Sequence, residues 1–226
     1  LPAWQFPVHG ASTQISPLSP LIEMQQLYLL DVWLKVQSGE LATAEAMLQQ
    51  DLSFWRKQLT TSNNVLYKLL VVSGVSRHFM FADLLKQSLP AEQYRQLMLA
   101  LWQQPLTTEE MSLMLAMAGE WSFSTSTVTS VEQFRPDEQS RLEPWLTQVL
   151  LLPFIKPQAV SNTFARRYLA CAEQKSAPAI ETYSWYSWLY NPIGKILTQT
   201  SGHDFCQRLN SALFDLEHQR QQLTLG

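Results

Sequence analysis

The sequence predicts a mainly α protein, a single multi-helix globular domain over residues 19–226 behind an extended proline-rich arm at residues 1–18, with at most one short β element. Three observations predict it. Apolar residues recur every three or four positions through most of the chain, the period that places them on one helix face. Helix start and stop signals punctuate those stretches. β-Branched and hydroxyl residues dominate in one segment alone, "SFSTSTVTSVEQF". With 226 residues and 46% hydrophobic side chains, the chain can bury a sizeable core.

The first eighteen residues carry three prolines and a glycine without helical period, which predicts an arm or linker. Ser19 before Pro20 is a cap followed by proline at the first helical position. The run from Leu21 reads as a helix closed by Gly39. In the next helix, Leu41, Ala44, Leu48, Leu52, Trp55 and Leu59 form one core-facing stripe. Val65, Leu69, Val72, Phe79 and Leu84 predict a long third helix, interrupted or loosened near Gly74. Another runs from Pro90 to near Pro105. Thr107 and Glu110 form a Thr-x-x-Glu capping box, followed by a face of Met111, Met114, Leu115 and Ala118 that suits core packing or, being rich in methionine, an adaptable binding surface.

The hydroxyl-rich segment then reads as a short strand or a loop. Helical spacing resumes after Pro136 and stops at Pro153 and Pro157. Val160, Phe164, Tyr168 and Cys171 form a further stripe, and Phe205, Leu209, Leu213 and Leu216 a final one, whose first turn Asp204 helps to cap. No repeat of fixed period occurs.

Charged residues make up 15% of the chain and the formal net charge is -3, so the basic surface that binds nucleic acid is not expected. No run reaches the roughly 18 apolar residues that cross a bilayer, since Lys68 and Gly74 interrupt the stretch from Val65 and Pro153 the one from Leu146. Any membrane anchor is expected upstream of this chain.

Catalytic signatures are missing: no Gly-x-Ser-x-Gly elbow, phosphate-binding glycine loop or His-Glu-x-x-His helix occurs. The four histidines make no metal spacing, and neither a metal nor a cofactor is expected. His203 and Cys206, three apart, could in principle approach as base and nucleophile. Glu120, beside Trp121, is a candidate general acid or a solvated surface acid. Lys156, Arg166 and Arg167 are a candidate anion-binding group, with surface solvation as the plainer reading. Cys171 and Cys206 both fall at interior-facing positions. They are either two unconnected thiols or, in an oxidising compartment, a disulfide closing a loop of about 35 residues and contributing about 3 to 4 kcal/mol.

The segment "YSWYSWLYNPIGK", from Tyr183 to Lys195, puts five aromatic rings into eight residues and then meets Pro192. Rings on more than one face imply that packing alone does not use them all. A helix end packed in the core, a protein-docking surface and a headgroup or sugar platform all remain open. The candidate interaction residues are Trp185, Tyr186, Trp188, Tyr190, Asn191 and Lys195.

"AGEW" (Ala118 to Trp121), "LPFIKPQAVSN" (Leu152 to Asn162) and "LYNPIGKIL" (Leu189 to Leu197) resemble segments of uncharacterised proteobacterial envelope proteins, which carry an N-terminal membrane anchor before a helical exported domain. The resemblance implies a periplasmic location, tethered to the inner membrane, and supplies no activity. The expectation is a non-enzymatic interaction domain that binds another envelope protein. The alternatives are an envelope hydrolase using Glu120 or a cysteine, and a domain that binds a lipid or another small ligand.

Overall fold

A computed structural model describes residues 17–130, 156–173, 185, 188, 190–200 and 204–224. Among them every regular element is a helix: α1 (Ser19–Gln37), α2 (Leu41–Thr61), α3 (Val65–Ser88), α4 (Ala91–Gln96), α5 (Ala100–Gln103), α6 (Thr108–Met111), α7 (Met114–Ser130), α8 (Pro157–Ala172), α9 (Pro192–Thr200) and α10 (Asp204–Thr224). The mainly α class is therefore as the sequence predicts. Nearly all of the expected arm, and the helical spacing expected between Pro136 and Ile155, lie outside the described residues. Described residues 17–112 and 208–224 form one compact unit; 113–130, 156–173, 185, 188, 190–200 and 204–207 form a second.

In the first unit α1, α2 and α3 pack on one another. Leu18, rather than Ser19, precedes the first turn of α1. The helix ends as predicted, with Gly39 in the left-handed region at φ 80°. The α2 stripe is the core: Ala44, Leu48, Leu52, Trp55 and Leu59 are all buried.

α3 runs unbroken through Gly74. The glycine is a contact point, not a hinge, because its bare Cα lets the Trp55 indole lie against the helix. Of the predicted α3 face, Val72 and Phe79 are buried as expected, but the rest is displaced. Leu69 and Leu84 are exposed, while Lys68, Val71, Val75, His78 and Ala82 face inward, since two polar side chains take their partners inside the core. α3 has the length and mean hydropathy of a membrane span, 1.3 over its best window. Its packing on α1 and α2 and its buried Lys68 and His78 are those of a core helix.

The single helix expected between Pro90 and Pro105 is two short ones, α4 and α5. Leu97 and Leu99 in the break between them are fully buried. The capping box is present and closes α6: the Glu110 carboxylate accepts the Thr107 N–H at 2.6 Å, and the Thr107 hydroxyl accepts the Glu110 N–H at 3.2 Å. Glu110 also takes the Arg56 fork at 2.6 and 2.7 Å. The same guanidinium donates to the carbonyls of Leu101, Gln104 and Pro105, so one buried arginine fixes the whole irregular stretch between α5 and α6. The Lys68 ammonium donates to the carbonyls of Leu59 at 2.6 Å and Glu110 at 2.8 Å. Burial pushes its pKa down to about 8, against the attraction of Glu110.

Leu209, Leu213 and Leu216 of α10 are buried as expected. Arg220 donates to the Trp102 carbonyl at 2.8 Å and pairs with Glu217 at 2.6 Å. The hydrogen bond from Arg220 and that from the Leu106 N–H hold the Glu217 carboxyl below its usual range.

In the second unit α7 packs along α8, and α8 against α9. The hydroxyl-rich segment is not a strand or a loop: through Ser130 it is the C-terminal half of α7. Ser126 and Thr127 donate back to the Phe123 carbonyl, while Ser124 bonds Tyr168 and Thr125 bonds the Ser161 hydroxyl, each at 3.0 Å. Tertiary partners for the hydroxyls override the local β preference. The expected methionine face is corrected too. Ser112 and Leu113 separate α6 from α7, so Leu113, Ala116 and Met117 turn inward while Met114, Leu115 and Ala118 are exposed.

Val128, Val160 and Phe164 form the core of this unit, with Tyr168 and Ile193 against it. Cys171 and Cys206 form a disulfide that joins the last turn of α8 to the first turn of α10, with Cα atoms 5.6 Å apart.

Candidate docking surface

The aromatic segment divides. Trp185 is 80% exposed and Tyr190 59% exposed, Trp188 is half-buried with the Lys195 ammonium 5.9 Å from its ring, and Tyr186 lies outside the described residues. Asn191 and Lys195 are buried and do not belong to a surface. Asn191 is a turn residue. It adopts φ 58°, its carbonyl accepts the Lys195 N–H to open α9, and its side-chain oxygen accepts the Lys156 N–H at 2.8 Å. Asparagine tolerates this left-handed conformation better than other non-glycine residues, and Pro192 then starts the helix.

The candidate anion group does not assemble. Lys156 stands at the start of α8 and Arg166 ten residues on, about 15 Å along the axis. Arg167 donates instead to the Thr198 carbonyl. Cys206 is bonded to Cys171 and supplies no thiolate, and His203 lies outside the described residues. Glu120 is half-buried on α7, where its charge contributes, after burial, to raising the Tyr168 phenol. Among the described residues no three His, Cys, Asp or Glu side chains gather into a metal site.

Sequence reasoning missed a buried Asp–His pair. Asp51 Oδ2 lies 2.8 Å from His78 Nδ1, its Oδ1 accepts the Trp55 indole N–H at 3.0 Å, and Gln25 Nε2 donates to Oδ2 at 3.3 Å. The other face of the imidazole decides what this pair can do. Trp102 Nε1 donates to His78 Nε2 at 2.9 Å. Indole nitrogen is a donor only, so Nε2 must accept and Nδ1 must carry the proton that bonds Asp51. In a catalytic triad that acceptor nitrogen would face a nucleophile. Here it is occupied in a fully buried site, and the pair is structural. Trp55 and Asp51, four apart on α2, are the one part of the network that helical spacing alone brings together.

The surface above this network is apolar. Between α1 and α2 lies a groove of about 310 Å³, lined by Leu21, Met24, Tyr28, Phe54 and Trp55, with Asp51 at its base. Tyr28 closes one end, its hydroxyl 3.2 Å from the Met47 carbonyl and 3.1 Å from Gln50 Oε1. From Met24 the apolar surface continues along the outside of α1. Met24 (66%), Leu27 (66%), Leu30 (53%) and Leu34 (57%) are exposed and fall within about 120° of the helix circumference. Single exposed leucines are ordinary; four large apolar side chains aligned along eleven residues and continuous with a groove make a patch. In the second unit Met114, Trp121, Ala165 and Leu169 line a smaller apolar groove of about 260 Å³ between α7 and α8.

No known protein family, no characterised protein and no solved structure matches this chain.

Proposed function

We propose that this chain is a non-enzymatic helical interaction domain of the bacterial periplasm, binding another envelope protein through the outer face of α1. The observation that carries this reading is the uncovered stripe of Met24, Leu27, Leu30 and Leu34 running into the α1–α2 groove. Grooves beside apolar helix faces are how helical domains seat partner segments. The disulfide between Cys171 and Cys206 supports an oxidising compartment, and the resemblance to anchored envelope proteins agrees with it. Among the described residues, the engagement of the buried Asp51–His78 pair by Trp102 counts against its use in catalysis.

The test is photo-cross-linking in intact cells from positions 27, 30 and 34, with position 45 on an exposed turn of α2 as control. Capture of the same envelope protein from the three α1 positions and not from the control is expected. No adduct from any α1 position would sink the reading. A second reading, carriage of a small apolar ligand, draws on the groove volume, which sits at the lower end of ligand pockets. Native mass spectrometry of protein purified from cells separates it by a bound mass.

A further inference from the structure

The charges around the α1 stripe say what kind of chain covers it. On a 100° per residue projection, Leu30, Leu34, Leu27 and Met24 span the exposed arc, and the charged residues within that arc are Glu23 and Asp31. Neither acid forms an ion pair among the described residues. Of the nearby bases, Lys35 stands at the edge of the arc and is held by Glu40 at 3.1 Å, and Arg77 of α3 donates to Gln25 Oε1 at 2.6 Å on the other side of α1. Glu23 and Asp31 are eight residues apart, about 12 Å along the axis, with Leu27 midway between them.

This pattern disfavours two otherwise natural occupants. A two-fold axis through Leu27 would set Glu23 of one copy against Asp31 of the other, like charge on like, so the stripe is badly suited to self-association. An anionic lipid surface meets the same two acids. A helix with an apolar seam flanked by cations meets none of these costs.

Resting on the docking reading above, we propose that the partner of α1 is a basic amphipathic helix of another protein, with two lysines or arginines about two turns apart beside a leucine-rich seam. The seam lies on Leu27, Leu30 and Leu34, one bulky apolar side chain enters the groove at Met24, and the two cations face Glu23 and Asp31. The apolar contacts supply affinity, while the charge pairs select the partner and its register.

The probe is a pair of synthetic 18-residue helical peptides with the same leucine seam, one with lysine and one with glutamate at the flanking positions, titrated into the intact chain by fluorescence anisotropy. The lysine peptide is expected to bind at least about ten-fold more tightly. Leu27→Gln with Leu30→Gln should abolish its binding, and Glu23→Lys with Asp31→Lys should reverse the preference. All four positions are exposed, so these variants should fold, and circular dichroism checks that they do. Equal binding of both peptides, or a charge reversal without effect, overturns the basic partner while the docking face stands. A dimer that Leu27→Gln dissolves in analytical ultracentrifugation shows a second copy as the occupant and overturns it as well. If neither peptide binds and the α1 cross-linkers capture nothing, the proposal and the docking reading fail together.

Discussion

Trp102 fixes the tautomer of His78. The indole N–H points at Nε2 from 2.9 Å, so the imidazole is the neutral Nδ1–H tautomer and Asp51 receives its proton side at 2.8 Å. Three helices are thereby joined: α2 through Asp51, α3 through His78 and α5 through Trp102. Gln25 of α1 adds a fourth by donating to Asp51 and to the Gly74 carbonyl at 2.9 Å.

A non-additive pair of substitutions follows. In Asp51→Asn one oxygen can still accept from Trp55, but the amide then turns N–H groups toward the His78 N–H, and Trp102 prevents the ring from changing tautomer. We expect a loss of about 1–3 kcal/mol in urea unfolding despite the near-identical shape. Trp102→Phe alone leaves Nε2 without a donor and costs a similar amount. In the double variant the tautomer is free to switch and Nδ1 accepts from the new amide. Its destabilisation should therefore be smaller than the sum by about 1 kcal/mol or more. Strict additivity would show that the tautomer is not locked.

Lys68 gives the chain a slope at alkaline pH. Its pKa is pushed from 10.5 to about 8, so between those values the unfolded chain binds more protons than the folded one and stability rises with pH. The gain from pH 7 to pH 10 should be on the order of 2–3 kcal/mol. Above pH 10 Tyr94, raised to about 12 by burial, acts in the opposite direction: the folded state then holds the extra proton, and its contribution is lost as pH climbs. Urea unfolding at pH 7, 8.5 and 10 should show the rise in the parent chain and its absence in Lys68→Met. The slopes are compared, because Lys68→Met also leaves two carbonyls without their donor. A flat parent profile would contradict the assignment.

Much of the fold was legible where one face carries the signal. The α2 stripe from Ala44 to Leu59, Val160, Phe164 and Cys171 of the α8 stripe and the leucines of α10 are buried as their spacing predicts, and the capping box is where Thr107 and Glu110 place it. What failed did so for stated physical reasons. α3 was phased on its apolar residues, whereas Lys68 and His78 find buried partners 9 to 42 residues away that no local pattern announces. The second half of α7 looked β-like because its serines and threonines are helical only with Tyr168, Ser161 and the Phe123 carbonyl to bond. The exposed α1 face was hidden for the opposite reason: leucines on both sides of a helix read as core until the packing shows which side is covered.

Gly74 inverts a familiar rule. Alanine for glycine inside a helix normally stabilises by about 1 kcal/mol. A Cβ at position 74 would stand only 2.7 Å from Trp55 Cε2, and the indole cannot retreat without breaking its hydrogen bond to Asp51. Gly74→Ala should instead lose about 1–3 kcal/mol. Pairing it with Trp55→Leu, which removes the ring, should recover part of that loss in the same unfolding assay. A stabilised Gly74→Ala would mean that the contact yields easily.

The disulfide makes a prediction that joins stability to compartment. Cys171 and Cys206 are 35 residues apart, so in the loop-entropy account the bond restrains an unfolded chain that would otherwise be freer by about 4 kcal/mol. Both cysteines are buried, so access to reductant should require opening of the α8 end and the first turn of α10. Thermal melting of the oxidised chain should therefore be insensitive to brief treatment with reductant in the folded state, whereas refolding in reductant should lower the midpoint. Cys171→Ser with Cys206→Ser should reproduce that lowered midpoint without reductant. The same pair bears on location: alkylation of acid-quenched cells should find the thiols protected if the chain resides in an oxidising compartment. Free thiols in cells, with an unchanged melting point in the double serine variant, would remove both the stabilising role of the bond and the support it lends to a periplasmic site of action.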